Sequence, residues 1–118
     1  MIQSDLEVKK LWNVLVAEIS SQAIELPTNP IQKNRKPKWF KVTYDSDILY
    51  ITNAQEHKNS CSISTPRKIS FEEFKKVYPY YVRRKAGHSI SAEVMHITVN
   101  QVYHFGLMKY AESQVGRR

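Results

Sequence analysis

Cysteine and glycine are the residues that this sequence has least of. Its one cysteine, Cys61, has no second cysteine in the chain to pair with, which excludes an intramolecular disulfide scaffold. Three glycines exclude the glycine-rich loops of P-loop and dinucleotide-binding proteins. No apolar run approaches the roughly 18–20 residues that a membrane-spanning helix needs. We therefore expect a cytoplasmic protein that does not contact a membrane.

Acidic residues are also scarce. The chain of 118 residues has 11 Asp and Glu against 18 Lys and Arg, which gives a formal net charge of +7. Hydrophobic residues make up 42% of it, enough for one folded core, so disorder is excluded. A basic excess of this size favours polyanionic partners.

The pattern of apolar residues predicts a single α+β domain over residues 1–118. Apolar residues recur at a helical period over 5–24, and Pro27 and Pro30 end that helix. A basic loop follows over 28–38. The alternating segments "WFKVTYD" and "ILYITNA" predict a β-hairpin, and "CSIS" predicts a third strand, so that 39–64 form a small antiparallel sheet.

The helical part of the predicted domain covers residues 70–113. Ser70 and Glu73 have the spacing of a capping box and predict a helix that starts near Phe71. Pro79 predicts that this helix ends or kinks, and Gly87 predicts a stop. A short helix over 92–97 and another that begins after Asn100 complete two to three C-terminal helices, which we expect to pack on one face of the sheet.

Basic residues fall into two groups along the sequence. The first group lies before and at the start of the predicted hairpin: Lys33, Arg35, Lys36, Lys38 and Lys41. The second group follows the predicted sheet: Arg67, Lys68, Lys75, Lys76, Arg83, Arg84 and Lys85. If the two groups share a face, they form a surface that follows a phosphate backbone. The residues predicted to contact phosphates are Lys36, Lys38, Arg67, Arg83, Arg84 and Lys85. The alternative is a set of cations that point in different directions.

The segment "SAEVMHITVNQVYHF" resembles a helix, a short turn and a second helix. Asn100, Gln101 and His104 lie near the start of the second helix, where recognition helices contact base edges. The alternatives are that Asn100 caps the helix and that the helix packs against the sheet. The overall prediction is a DNA-binding or DNA-associated protein whose partner is duplex DNA.

Residues 39–108 are similar to small α+β proteins of mobile elements. The pattern is a β-hairpin, an R-x-I-S helix start, a glycine and a closing N-x-x-Y helix. The matching positions are Arg67, Ile69, Ser70, Gly87, Asn100 and Tyr103. It resembles integron gene-cassette proteins and the accessory domains that accompany restriction endonucleases. The resemblance implies a mobile-element or defence context and favours DNA binding.

Catalysis is not predicted. Glu73 and Lys75, with Asp45 or Asp47 upstream, have part of the pattern of a metal-dependent nuclease, but Glu73 is better placed as a helix cap. His57 and Cys61 are four residues apart, and two ligands do not complete a zinc site. We therefore expect no enzyme activity, no metal and no cofactor.

Two other functions stay open at this point. A homodimer is the first, because the predicted N-terminal helix has apolar residues off its main stripe: Leu6, Val14, Ala17 and Ile24. The second is a small-molecule pocket under the sheet, for which the candidate lining residues are aromatic: Trp39, Tyr44, Tyr50 and Phe105.

Overall fold

A computed structural model describes residues 3–28, 36–88, 98 and 100–116. In chain order the elements are α1 (Gln3–Ile19), β1 (Ile24–Pro27), β2 (Trp39–Asp45), β3 (Ile48–Asn53), β4 (Arg67–Ser70), α2 (Phe71–Lys85) and α3 (Gln101–Gly116). The strands lie in the order β1-β2-β3-β4, and each neighbouring pair is antiparallel. The predicted α+β class, with an N-terminal helix, a small antiparallel sheet and helices that follow it, is confirmed.

The predicted hairpin is formed by β2 and β3, which are joined by two residues. Asp45 pairs with Ile48, so Ser46 and Asp47 alone make the turn. Both have positive φ values, 50° and 68°, as a tight turn that matches the strand twist requires. The Tyr44 hydroxyl donates a hydrogen bond of 2.9 Å to the Asp47 carboxylate, which supports this turn without a glycine.

The two faces of the sheet differ in what covers them. The closed face packs against the three helices and holds apolar side chains with at most 5% of their area exposed: Leu26, Phe40, Val42, Leu49, Ile51 and Ile69. Strand alternation places a second set of side chains on the opposite side, which we name the open face: Glu25, Trp39, Lys41, Thr43, Asp45, Tyr50, Thr52 and Lys68. No described helix packs there.

Two boundaries in the first half of the chain differ from the prediction. The first helix ends at Ile19 and not near residue 24, because Ile24–Pro27 pair with β2 as a strand. The segment "CSIS" is not a strand; it follows an isolated bridge between Trp39 and Ser60, and the fourth strand is Arg67–Ser70. Both differences come from pairing between segments distant in sequence.

The alternative in which the helix ends at Pro79 is wrong. Helix α2 continues through Pro79 to Lys85. Pro79 lies on the exposed side, so the backbone carbonyl that it leaves without a helical donor is on the side that water reaches. The opposite side is held in the core by Phe74, Val77, Tyr78 and Tyr81. This burial outweighs the local cost of the proline.

Both predicted ends of α2 are confirmed. Ser70 is the N-cap, and its hydroxyl accepts a hydrogen bond of 3.2 Å from the backbone N–H of Glu73. At the other end Gly87 has a φ of 95°. The N–H groups of Gly87 and His88 donate to the carbonyls of Arg84 and Arg83, at 3.0 and 3.1 Å. This is the Schellman arrangement that a left-handed glycine permits.

Helix α3 starts one residue after Asn100, as predicted, and passes close to the end of β1. A Cβ on Gly106 would lie 2.7 Å from the Pro27 carbonyl oxygen and 3.3 Å from the Phe40 ring. Only glycine permits this approach. The predicted short helix over 92–97 lies outside the described residues, as do Lys33 and Arg35 of the predicted basic loop.

Candidate nucleic-acid interface

The continuous helix α2 places separate cations on one exposed side. Lys75, Lys76 and Arg83 are all exposed. Lys76 and Arg83 are seven residues apart, which puts them on the same side of the helix at a spacing of about 10 Å. Of the two acids in the first turn, Glu72 is exposed, whereas Glu73 is half-buried and bonded inside the protein. The exposed side of α2 is therefore mainly positive.

Strand β4 adds two more exposed cations and leads directly into α2. Arg67 and Lys68 are exposed, and β4 is the outermost strand at its end of the described sheet. Helix α2 packs beside β4. Apart from Lys85, which is paired with Glu112, we name the exposed cations of the two elements the β4–α2 strip: Arg67, Lys68, Lys75, Lys76 and Arg83.

Arg67 and Lys38 both act on one buried group, Cys61, although they are far apart in the sequence. The positive charges of both act on the Cys61 thiol and oppose the rise in its pKa, which burial causes. The Arg67 guanidinium lies 5.8 Å from the centre of the Tyr103 ring and donates a hydrogen bond of 2.9 Å to the Asn100 amide oxygen. Lys38 is exposed immediately before β2, as is Lys36 two residues earlier. The structure therefore places one cation of each basic group within electrostatic range of Cys61.

The last turn of α2 is held by contacts inside the protein that the sequence did not predict. Lys85 forms an ion pair of 2.5 Å with Glu112, which also accepts a hydrogen bond of 2.7 Å from the Tyr81 hydroxyl. Burial lowers the pKa of Arg84, whose guanidinium lies 5.2 Å from the centre of the Phe105 ring. Arg84 and Lys85 are thus engaged by α3.

Arg83 differs from its neighbour Arg84 in exposure. The Arg83 side chain is exposed, and its guanidinium lies 5.5 Å from the centre of the Tyr80 ring, one turn earlier on the same helix. Arg84 is only half-exposed. Arg83 is therefore the more exposed of the two arginines in this turn.

Two of the three predicted base-contacting residues are buried. His104 has no exposed area, and its Nε2 lies 2.6 Å from the Glu73 carboxylate. Asn100 is 9% exposed, and its amide oxygen is occupied by Arg67. The prediction that these two side chains contact base edges is therefore wrong in this structure. Gln101 is half-buried.

The Glu73–His104 pair explains why a histidine is tolerated in the core. The hydrogen bond with His104 lowers the pKa of Glu73. Burial lowers the pKa of His104, although the Glu73 carboxylate acts to raise it. The pair is thus an ionised Glu73 and a neutral His104 whose Nε2–H donates. The remaining ring nitrogen, Nδ1, is buried without a hydrogen-bond partner in the described structure. Glu73 also accepts a bond of 3.2 Å from Thr98 instead of completing the capping box.

Sequence reasoning missed a second glutamate–histidine pair, at one end of the open face. The Glu25 carboxylate accepts hydrogen bonds from the backbone N–H groups of Gln55, Glu56 and His57, and lies 2.7 Å from His57 Nδ1. The hydrogen bond with His57 is the main cause that lowers the pKa of Glu25 to about 2. The His57 ring stacks on Trp39, with centres 3.5 Å apart. No local sequence pattern connects these residues.

The aromatic residues predicted to line a small-molecule pocket do not come together. Trp39 and Tyr50 lie on the open face, whereas Tyr44 is on the closed side. Phe105 is fully buried in α3. The four side chains therefore do not line one pocket.

Of the apolar residues predicted for a homodimer face, Leu6 and Val14 line the same groove. On the first helix Val14 is buried at 6% exposure, and Ile24 belongs to β1. Leu6 remains exposed, at 57%. The predicted set is therefore divided between the core, a strand and the surface.

Within residues 3–28, 36–88, 98 and 100–116, no group of three or more His, Cys, Asp or Glu side chains is arranged to hold a metal ion. None of the helices described is both long and apolar enough to cross a membrane. No family model, no curated protein and no solved structure matches the chain.

Proposed function

We propose that the protein binds nucleic acid, without catalysis, through phosphate contacts made by the β4–α2 strip. The observation that carries this proposal is the unbroken α2 helix, which aligns Lys76 and Arg83 on one exposed side and follows directly after the cations of β4. Phosphates are recognised by charge and by N–H donors, and cations at repeated spacing along an element suit a repeating backbone.

The proposed set of phosphate-binding residues differs from the predicted one. Five of the six predicted cations are exposed, and we keep four of them, because Lys85 is paired with Glu112. The four are Lys36, Lys38, Arg67 and Arg83, and the exposed lysines that we add are Lys68, Lys75 and Lys76. Arg84 and Lys85 have a secondary place, since Phe105 and Glu112 already hold them. Contacts of this kind position a nucleic acid without reading its sequence, so we expect binding with little sequence preference.

The test is a charge reversal on the strip. The double variant K76E/R83E should weaken retardation of duplex DNA by more than ten-fold at about 0.1 M salt. It should also reduce the slope of log K against log salt by about 0.9 for each phosphate that is no longer neutralised. The matched control is K10E/K109E, which makes the same change in net charge on exposed lysines of α1 and α3.

The control separates a located interface from general attraction to a basic protein. If K10E/K109E weakens binding as much as K76E/R83E, the strip is not the interface. If the unaltered protein does not retard nucleic acid at low salt, the proposed function is overturned. Circular dichroism establishes that both variants remain folded.

The cellular setting that we propose is the cytoplasm, in a mobile-element or defence context. The setting rests on the single unpaired cysteine and on the sequence resemblance described above. The homodimer alternative is not carried forward, because Ile24 belongs to β1 and only Leu6 and Val14 of the predicted set line one groove.

A further inference from the structure

The centre of the open face is a row of three side chains on neighbouring strands. Thr43 pairs with Tyr50, and Tyr50 pairs with Lys68, so the three lie side by side across β2, β3 and β4. Neighbouring strands are about 4.8 Å apart, so the row is about 10 Å wide. Thr52 and Lys41 form the next pair along the same face.

The side chains of this row are not engaged by other side chains of the protein. In the described structure Thr43, Tyr50 and Lys68 make no side-chain hydrogen bond, ion pair or ring contact. By contrast, Trp39 at the end of the face is covered by the His57 ring, and Lys41 donates to Gln55 at 3.0 Å. Tyr50 is half-buried and is not among the residues that pack against the core.

We propose that the open face binds single-stranded nucleic acid, with one base stacked on Tyr50. The inference rests on the proposed function and names the form of nucleic acid that this face accepts. An aromatic ring on a sheet surface presents a flat partner for any unpaired base. In a duplex the faces of the bases are already stacked on one another, so only a single strand offers them.

Charge complementarity supports this occupant over another protein surface. Lys68 lies beside Tyr50 on the strand that also carries Arg67, and Lys41 lies on the next row. A base on Tyr50 therefore has cations on two sides for its flanking phosphates. The hydroxyl of Thr43 can donate to or accept from a base edge.

The two acids on the open face lie outside the central row. Glu25 is already bonded to His57 and to three backbone N–H groups at one end of the face. Asp45 lies at the opposite, hairpin end, where its carboxylate accepts a hydrogen bond of 3.3 Å from the Ser46 hydroxyl. Both acids thus lie outside the central row. Lys68 is the charged residue directly beside Tyr50, while Lys41 and Asp45 are each two residues from Thr43 on β2.

The β4 edge joins this face to the β4–α2 strip. Strand alternation directs Lys68 to the open face and Arg67 to the other, so one strand carries cations toward both surfaces. A single strand stacked on Tyr50 can thus continue over β4 to the cations of α2. Both surfaces would then contribute to one binding site.

The experiment compares a labelled single-stranded oligonucleotide of mixed sequence with a hairpin duplex of the same sequence, by fluorescence anisotropy. Tyr50→Leu keeps an apolar side chain without an aromatic face, and should weaken single-strand binding by about 5- to 150-fold, the range for one base–aromatic stack. Tyr50→Phe keeps the ring and should retain binding within a few-fold. Duplex binding should be the same in both variants as in the unaltered protein.

The outcomes distinguish this inference from the function on which it rests. If duplex and single strand both bind and Tyr50→Leu weakens neither, the strip functions alone and the open-face site is overturned. If Tyr50→Phe weakens single-strand binding as much as Tyr50→Leu, stacking is not the contact and the inference also fails. If Tyr50→Leu instead changes a monomer–dimer equilibrium in sedimentation, the open face binds a second copy of the chain and the inference is overturned. If the unaltered protein binds neither oligonucleotide, the proposed function and this inference both fall.

Discussion

The closed and open faces of the sheet alternate residue by residue along the same strands, yet they carry opposite kinds of contact. Phe40 and Val42 on β2 have no exposed area, while Lys41 and Thr43 are on the side that no described helix covers. On the closed face, Phe40 lies so near α3 that a Cβ on a glycine of that helix would crowd its ring. The open face keeps Tyr50 without a partner in the described structure. The difference indicates that one face supplies stability and that the other is available for binding.

The largest expected effect comes from removing one aromatic ring from each face. Phe40→Ala should lower the free energy of unfolding by about 3–5 kcal/mol, because the ring is fully buried and its removal leaves a cavity. Tyr50→Ala should cost about 1 kcal/mol or less, the size of a cross-strand side-chain contact. Chemical denaturation measures both. Equal decreases would show that the open face also belongs to the stabilising core.

A smaller effect is expected where α3 meets β1. Gly106→Ala should lower the free energy of unfolding by about 1–3 kcal/mol, because its new methyl group would lie 2.7 Å from a backbone oxygen that cannot rotate away. The matched control is Gly116→Ala, at the end of the same helix, where nothing lies within 4 Å of the added atom. We expect the control to melt within a few degrees of the unaltered protein. A Gly106→Ala variant as stable as the control would contradict the close approach.

The effect of acid should be the smallest, and it is specific to the end of the open face that is already partnered. The pKa of Glu25 is about 2 in the folded protein, against an ordinary value of 4.5. As pH falls below about 5, the unfolded chain takes up this proton first, so the free energy of unfolding decreases between about pH 5 and pH 2. The contribution of the pair is fully present above that range.

Glu25→Gln tests this assignment. The variant should be less stable than the unaltered protein at neutral pH and should lose less stability on acidification, as measured by thermal melts from pH 7 to pH 2. Glu56→Gln is the control, because the Glu56 side chain makes no hydrogen bond in the described structure although its backbone N–H donates to Glu25. If both variants keep the acid-dependent decrease of the unaltered protein, Glu25 is not its source.

Local patterns predicted the elements whose stabilising contacts are themselves local. The hairpin of β2 and β3, the Ser70 cap and the Gly87 stop depend on residues a few positions apart, and all three are confirmed. The misses depend on distant contacts. The four residues of β1 follow a helical pattern in the sequence, and only their pairing with β2 makes them a strand. Helix α2 continues through Pro79 because side chains on its opposite side are buried in the core.

For the candidate site, the sequence predicted which residue types are present but not where the fold places them. The sequence shows which residues are cations, and that set contains Arg67 and Arg83. It does not show that His104 is buried against Glu73, because a histidine near a helix start has the same local pattern whether it faces water or a carboxylate. Nor does it show that a loop histidine distant in sequence covers Trp39, while Tyr50 on the same face has no such cover.

Ser70 belongs to two elements at once, as the last residue of β4 and as the N-cap of α2. No linker separates the strand from the helix, so there is no hinge at which one can turn without the other. A ligand that displaces β4 therefore also displaces the start of α2. The amide protons of β4 and of the first turn of α2 should accordingly exchange with solvent in a single opening event.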